Sequence, residues 1–407
     1  MKTIAVIASL DTKLEETEYT AQILQGMGFE TYIIDISTKT LIEKKIADIT
    51  PKEILELYGI SWKQFDEYDK GKSIDTMCKA IEQVVPQLYQ KQLFDGVISI
   101  GGGQNARMAA YALKALPFGV PKVLASSLAC GKRTMEQYVG CKDIFVMHTV
   151  ADISGLNTIT KTVIQNVCAA IGGLVTHTKT FEKAMTTKVI GTTMLGITSK
   201  GIERVKKDLE KKGYEVVVFH ANGVGGRCME NLIQTDKLDV ILDATLHEIT
   251  CEILGGYCAG ATNRLKIGVE SGKPMIVVPG ALDMVDFFVD EQGMGLPEDI
   301  DARKKVFHNS SICHCKIYPK EAQQLAETVA ERLNQAKVPI TIVIPTQGCC
   351  EAAAPGGAMY DPETDYVLVE TFKDKIISPL VKIVIVEANI NDEKFSEVVR
   401  DEVLKLV

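Results

Sequence analysis

The sequence predicts an α/β protein of two tandem doubly wound, Rossmann-like domains with mainly parallel sheets and an interdomain cleft. Three observations predict it. The chain begins twice: the runs 3–37 and 189–223 each read strand, loop, amphipathic helix, glycine turn, strand, with Lys13 and Lys200 at matching places in the loop. Nearly every strand candidate is an unbroken apolar run, as required when both sheet faces are covered. These runs alternate with helical segments, the pattern of right-handed crossovers. In such sheets ligands bind beyond the strand carboxyl ends, so two of them facing each other imply a cleft. The polar segment around Thr176–Thr187 divides the chain into 1–180, a nucleotide-binding domain, and 181–407, a second α/β domain with a glycine-rich anion-binding loop.

Taken in order, the first βαβ unit leads into a Lys- and Glu-rich stretch, Thr38 to Gly71, that reads as a helical surface excursion. A helix from about Ile74 to Gln90 precedes the strand FDGVISI, which ends in Gly101-Gly102-Gly103-Gln104-Asn105. The helix Ala106–Leu116 stops at Pro117, and strands follow at Val120–Ser126 and Ile144–Val150. The long apolar helix from Thr158 to Gly172 could bridge the halves. The second half continues with EVVVFH, a glycine turn and a helix, then LDVILDATL and a helix, then PMIVVPG and a loop. A helix Pro319–Gln335, the strands PITIVIP and KIVIVEANI, and a terminal helix complete it.

Composition sets the partners. The 407 residues are 46% apolar and 24% charged with a net charge of −8, which disfavours nucleic acid and membrane surfaces. A small anionic ligand stays admissible, because backbone N–H groups at helix starts bind anions whatever the net charge. The first strand begins by the third residue, leaving no room for a signal peptide. No apolar run reaches the roughly 18–20 residues of a spanning helix. A cytoplasmic location is the expectation. Eleven scattered cysteines are expected to be reduced, mostly buried thiols.

The strongest local signal is the run Phe219 to Glu230, where a strand enters, glycines crowd a turn and a helix starts. Asn222, Gly223, Gly225 and Gly226 would offer N–H groups to a phosphate or carboxylate, with Arg227 adding a bidentate donor. His220 at the strand end, and Glu230, are candidates for proton transfer. The competing account is a tight turn made for packing. Gly101, Gly102 and Gly103 share the strand–glycine–helix context but lack the GxGxxG spacing, so phosphate binding and plain turn geometry stand level. Asp11, Thr12 and Lys13 supply a carboxylate, a hydroxyl and a cation beside them, unless Asp11 is only the helix N-cap. Asp35 ends the second strand, where it would hold a ribose hydroxyl or merely cap the strand end.

His247 and Glu248 follow another strand as candidate acid–base groups; neighbours on a helix diverge by about 100°, so they cannot pair with each other. Asp283 and Asp286 would share a face if helical, a geometry that could hold Mg²⁺, although solvated loop carboxylates are commoner. Cys313-His314-Cys315 gives no metal site by spacing, since strand neighbours alternate faces, and no metal ligand set is assigned. Cys349-Cys350 read as core thiols. Neither GxxxxGK[ST] nor GxSxG occurs.

With these residues assembled, the sequence resembles the family of ATP-binding domains typified by the tobamovirus-resistance protein of tomato, whose members are mostly bacterial. The resemblance rests on Asp11-Thr12-Lys13, the loop from Gly101, Ala115–Val123, Asp152–Asn157, His220–Glu230, Thr245–Ile249, Gly280–Val285, His308-Asn309 and Ala354–Gly357. It implies ATP as cofactor in the first domain, a second α/β domain whose Asp283 and His308 join the substrate site, and a homodimer. It does not imply a reaction or a role for Mg²⁺. The chain departs from the family pattern at Gln104-Asn105-Ala106, where larger side chains are expected to crowd a phosphate seat. It departs again near Lys316, where the family tends to carry Arg, and near Ala353, where it tends to carry Asp. The expected function is therefore an ATP- or phosphometabolite-binding protein, an enzyme acting on a small anionic metabolite in the cleft. The alternative is a non-catalytic sensor or interaction module.

Overall fold

Residue alternation along β1 (Thr3–Ala8) assigns the layers of the first unit. Ile4 and Val6 enter one apolar cluster with Ile98, Val123, Val167 and Ile171, while Ala5 and Ile7 enter another with Ile81, Val97 and Leu113. Both faces are thus covered by helices, and each fully buried aliphatic side chain contributes about 1.5–3 kcal/mol. The computed structural model describes residues 1–42, 46–129, 136–178, 187–289 and 296–407. The chain divides into two compact units, Met1–Glu182 and Lys183–Val407.

The first unit adds β2 (Glu30–Asp35), β3 (Gly96–Gly101), β4 (Lys122–Ser126) and β5 (Phe145–His148). The five strands are parallel in the order β2-β1-β3-β4-β5. This order reverses direction between β1 and β3, and that switch point is where a doubly wound sheet opens a crevice.

The second unit repeats the scheme with β6 (Val189–Met194), β7 (Glu215–His220), β8 (Val240–Asp243) and β9 (Met275–Val277). Next come three short strands, β10 (Met284–Phe288), β11 (Lys305–Phe307) and β12 (Ile312–Lys316), then β13 (Ile340–Pro345) and β14 (Val381–Val386). The parallel sheet runs β7-β6-β8-β9-β13-β14, with its switch point between β6 and β8. Ile190, Leu242 and Ile276 pack under the helices Ser199–Lys211 and Glu393–Leu404. Ile241, Met275 and Val277 pack under Gly225–Gln234 and Pro319–Leu333. The α/β class with two parallel sheets is therefore as predicted. The antiparallel sheet β10-β12-β11 was not foreseen; in it Asp286 stands directly opposite His314.

Several local expectations are corrected. The first helix spans Leu10–Gly26 behind Ser9, so Asp11 lies inside its first turn rather than capping it, and the helical path breaks at Lys13 (φ −132°, ψ 28°). The helix after the triglycine is Gly103–Ala115 and opens three residues before Ala106. The helix Thr158–His177 belongs to the first unit and packs Val163, Val167 and Ile171 onto its sheet. The helix has 20 residues and an 18-residue window of mean hydropathy 1.2, long and apolar enough to cross a membrane by length and composition, contrary to the expectation from the sequence. Core packing accounts for that hydropathy, since one face meets Ile4, Val6 and Ile98.

Candidate functional site

At the first switch point the two loops singled out in the sequence lie side by side. The backbone N–H of Ser9, just after β1, donates to Asn105 Oδ1 at 2.9 Å, and Asn105 Nδ2 donates to Ser99 Oγ at 3.0 Å. Asn105 is therefore buried beneath the triglycine rather than over it, and a Cβ on Gly101 would fall 2.6 Å from its amide nitrogen. Ala106 is also buried, leaving Gln104 alone at the rim. The expected crowding of the seat is corrected: the helical turn directs Asn105 and Ala106 inward. The helix Gly103–Ala115 starts without a side-chain cap on Gly102, so its first N–H groups are not claimed by a capping side chain. Lys13 Nζ lies 3.8 Å from Glu16 Oε1, which itself accepts the Gly155 N–H at 2.9 Å. Thr12 is exposed, and Asp11 is half-buried. Asp35 is 1% exposed, and its Oδ1 accepts from Leu10 N at 3.1 Å, Ser37 N at 2.9 Å and Ser37 Oγ at 2.5 Å. It caps the strand end, the second of the two readings its position allowed. Burial pushes its carboxyl above the usual range, and the Ser37 donors offset part of that.

In the second unit the glycine turn already holds an anion, and the anion is internal. Glu248 Oε1 accepts the N–H of Gly223 at 2.9 Å and of Gly226 at 3.2 Å. Its Oε2 accepts Arg264 Nε at 2.6 Å, and Arg264 spans to both oxygens of Asp243 and, at 3.2 Å, to Thr245 O. Arg264, Asp243 and Glu248 are at most 1% exposed. A Cβ on Gly226 would strike Arg264 and Glu248, and one on Gly225 would strike the His220 backbone, so these glycines serve packing. The turn as an open seat for an external anion is corrected accordingly. Arg227 points its Nε back to Gly223 O at 3.2 Å. Glu230 is 2% exposed and 3.8 Å from Arg264; burial pushes its carboxyl up to about 7, against the pull of the guanidinium. His220 and Asn222 are exposed at the end of β7.

His247 and Glu248 diverge, as neighbours on a helix must. His247, fully buried, meets Cys251 Sγ at 3.2 Å and Asp286 Oδ2 at 3.0 Å, both through Nε2. Asp286 Oδ1 is held by His314 Nδ1 at 2.5 Å, and Cys258 Sγ lies 3.9 Å from Asp286 Oδ2. Burial opposes charge on His247, but Cys251 and Asp286 outweigh it and hold the imidazole well above its ordinary value. Burial likewise opposes a thiolate at Cys251, yet Cys258 and His247 hold that thiol well below the usual range.

Asp283 and Asp286 are not helical and meet different partners: Asp283, in the turn before β10, meets Lys316 Nζ at 2.8 Å, and Asp286, on β10, meets the histidines. Lys316 also reaches Asp365 Oδ1 at 3.0 Å, and all three residues are buried. Lys316 thus pairs with two carboxylates inside the unit. His308 is exposed on the β11–β12 turn with its ring 5.3 Å from that of His314, away from Asp283.

Sequence reasoning missed Arg264, Cys251, Cys258 and Asp365. Arg264 sits in a loop with no flanking pattern. Cys251 stands four residues after His247, one helical turn on the same face, and that spacing was the signal available.

Comparison with known proteins is consistent along the whole chain. The family model described as "Uncharacterised protein family (UPF0261) N-terminal domain" matches residues 2–180, and its C-terminal counterpart matches 187–407. A UPF0261 protein of Clostridium tetani is 36% identical over 397 residues, covering 97% of this chain and 96% of its own length. The ToMV resistance protein Tm-1(GCR237) of Solanum lycopersicum is 29% identical over 420 residues, covering 98% of this chain but 55% of the tomato protein. A UPF0261 protein of Rhizobium meliloti is 29% identical over 399 residues, with 98% and 97% covered. Among solved structures, MurG of Acinetobacter baumannii aligns at 15% identity over 69% of this chain and 79% of its own, with a TM-score of 0.24, a likeness that carries no argument.

Proposed function

The chain belongs to the uncharacterised protein family UPF0261, and we propose that this member binds a nucleoside phosphate, ATP being the first candidate, at the switch point of its first sheet. The observation that carries the reading is the uncapped start of the helix Gly103–Ala115 behind Gly101-Gly102-Gly103, joined through Asn105 to the loop that bears Asp11, Thr12 and Lys13. The N–H groups of the first helical turn would hold the phosphate oxygens, aided by the helix dipole. Lys13, released from its 3.8 Å contact with Glu16, would neutralise them. Thr12 would offer a hydroxyl, and Asp11 a carboxylate for the ribose or for a phosphate-bound cation. The second unit would then act on a small anionic partner through exposed groups such as His220 and Asn222, because Glu248 already fills its glycine turn.

Thermal shift and calorimetry on the full chain with ATP, ADP and AMP, each with and without Mg²⁺, test this. Binding is expected, and Lys13→Ala should weaken it roughly tenfold to a hundredfold, the loss of a charge-assisted contact of about 1.5–3 kcal/mol. Binding unchanged in Lys13→Ala, or no shift with any nucleotide, would sink the reading. Phosphate release under the same conditions separates an enzyme from a protein that binds its nucleotide intact and signals by shape or assembly.

A further inference from the structure

The cluster inside the second unit assigns a site that the nucleotide reading leaves unused. His247 and Cys251 lie one turn apart on the helix His247–Leu254; Cys258 follows in the next loop, and Asp286 reaches in from β10. The ligand atoms of His247, Cys251 and Cys258 lie within 4.8 Å of one another, and all three residues are buried. Asp286, 4% exposed, lies beside them, 3.0 Å from His247 Nε2 and 3.9 Å from Cys258 Sγ.

The orientation of the imidazole separates two readings. Its Nδ1 faces the carbonyl oxygen of Ala281 at 3.3 Å, and a carbonyl only accepts, so Nδ1 carries a hydrogen there. The remaining nitrogen, Nε2, faces both Cys251 Sγ at 3.2 Å and Asp286 Oδ2 at 3.0 Å. A Cys–His–Asp nucleophile triad would use the two ring nitrogens separately, one for the thiol and one for the carboxylate. Here a single nitrogen meets both the sulfur and the carboxylate oxygen. Three lone-pair-bearing atoms in such contact need a positive charge among them, and in the metal-free chain a shared proton supplies it. A backbone carbonyl fixing Nδ1–H while Nε2 looks inward is also how proteins orient a metal-binding histidine, and His314 fixes Asp286 Oδ1 in the same manner at 2.5 Å.

We propose that His247 Nε2, Cys251 Sγ, Cys258 Sγ and Asp286 Oδ2 form a tetrahedral site for a thiophilic divalent cation, Zn²⁺ above all. With Zn–S of about 2.3 Å and Zn–N or Zn–O of about 2.0–2.2 Å, the edges of such a tetrahedron measure roughly 3.4–3.8 Å. Three of the contacts found measure 3.0, 3.2 and 3.9 Å, and the ligand atoms of His247, Cys251 and Cys258 all lie within 4.8 Å of one another, so closing the site needs shifts of up to about 1 Å. A mixed N, S₂, O set at this geometry selects zinc over magnesium or calcium, which require all-oxygen shells. Four protein ligands and burial make the site a structural one, tying the helix His247–Leu254 and the Cys258 loop to the antiparallel sheet. Cation entry displaces the shared proton and the Cys258 thiol proton to solvent.

The test uses the full chain, purified without a polyhistidine tag from zinc-supplemented medium, with elemental analysis followed by cobalt substitution. About one zinc per chain is expected. In cobalt-loaded protein, sulfur-to-metal charge-transfer bands and intense visible bands of tetrahedral cobalt should appear, and Cys258→Ser and Asp286→Asn should alter or abolish them. Cys313→Ser, a buried thiol outside the cluster, should leave them unchanged. Because a variant in this core could fail to fold, thiol alkylation of the unaltered protein gives a second reading: zinc should protect Cys251 and Cys258 and chelation should expose them. Absence of both zinc and a cobalt spectrum in folded protein overturns the proposal, as do cobalt bands insensitive to Cys258→Ser. Equal alkylation with and without zinc overturns it as well.

Discussion

Arg264 shows how much of a site one side chain can organise. It is wholly buried and bonded to Asp243, Glu248 and the Thr245 carbonyl, so its loss would strand two carboxylates in a low-dielectric interior. Arg264→Met should destabilise the second unit by about 3–5 kcal/mol in urea unfolding at neutral pH. Arg264→Lys should rescue little of that, since an ammonium cannot span both oxygens of Asp243 and reach Glu248 as well. Glu230, beside it, carries a pH signature. Its carboxyl titrates near 4.5 when unfolded and at about 7 when folded, so the folded chain binds a proton that the unfolded chain has lost. The stability it contributes is complete below about pH 4.5 and is lost as the pH rises through about 7. Glu230→Gln should flatten that decline in stability curves measured across this window.

Among the elements, the helix Gly103–Ala115 links fold to site most directly. Asn105 sits on its inward face and satisfies the Ser9 N–H, so Asn105→Ala would leave a buried donor unpaired at a cost of about 1–3 kcal/mol. The same substitution should loosen the loop of Asp11, Thr12 and Lys13 and weaken nucleotide binding, which calorimetry on the folded variant would measure. Strand runs such as Ile4–Ala8 and Ile342–Ile344 were legible because an element buried on both faces writes its burial into consecutive apolar letters. Helix starts were less legible: glycines at 101–103 signal a turn in sequence whether or not the helix has already begun at Gly103. The glycine turn at 223–226 does present backbone N–H groups to a carboxylate, but to one from within the unit. Its occupant was missed because Glu248 lies 22 residues from Gly226 along the chain and nothing local ties them. The cluster around His247 was only partly legible for a related reason: the four-residue spacing of His247 and Cys251 is local, whereas Cys258 comes from a loop and Asp286 from the strand β10.

For the molecule as a whole, the two units have separate cores. Two apolar clusters sandwich the first sheet and two others the second, each drawn from residues of one unit. Fragments 1–178 and 187–407 should therefore each fold alone, seen as native-like circular dichroism and a cooperative thermal transition for each. A fragment that aggregates or melts without cooperativity would show that its core needs the other unit. The carboxylate lodged in the turn of Gly223 and Gly226 bears on the same experiment. It is tethered to its host, so it acts as a resident competitor whose effective concentration no buffer anion can match and no dialysis can dilute. Added inorganic phosphate should raise the melting temperature of the first fragment and leave that of the second where it was.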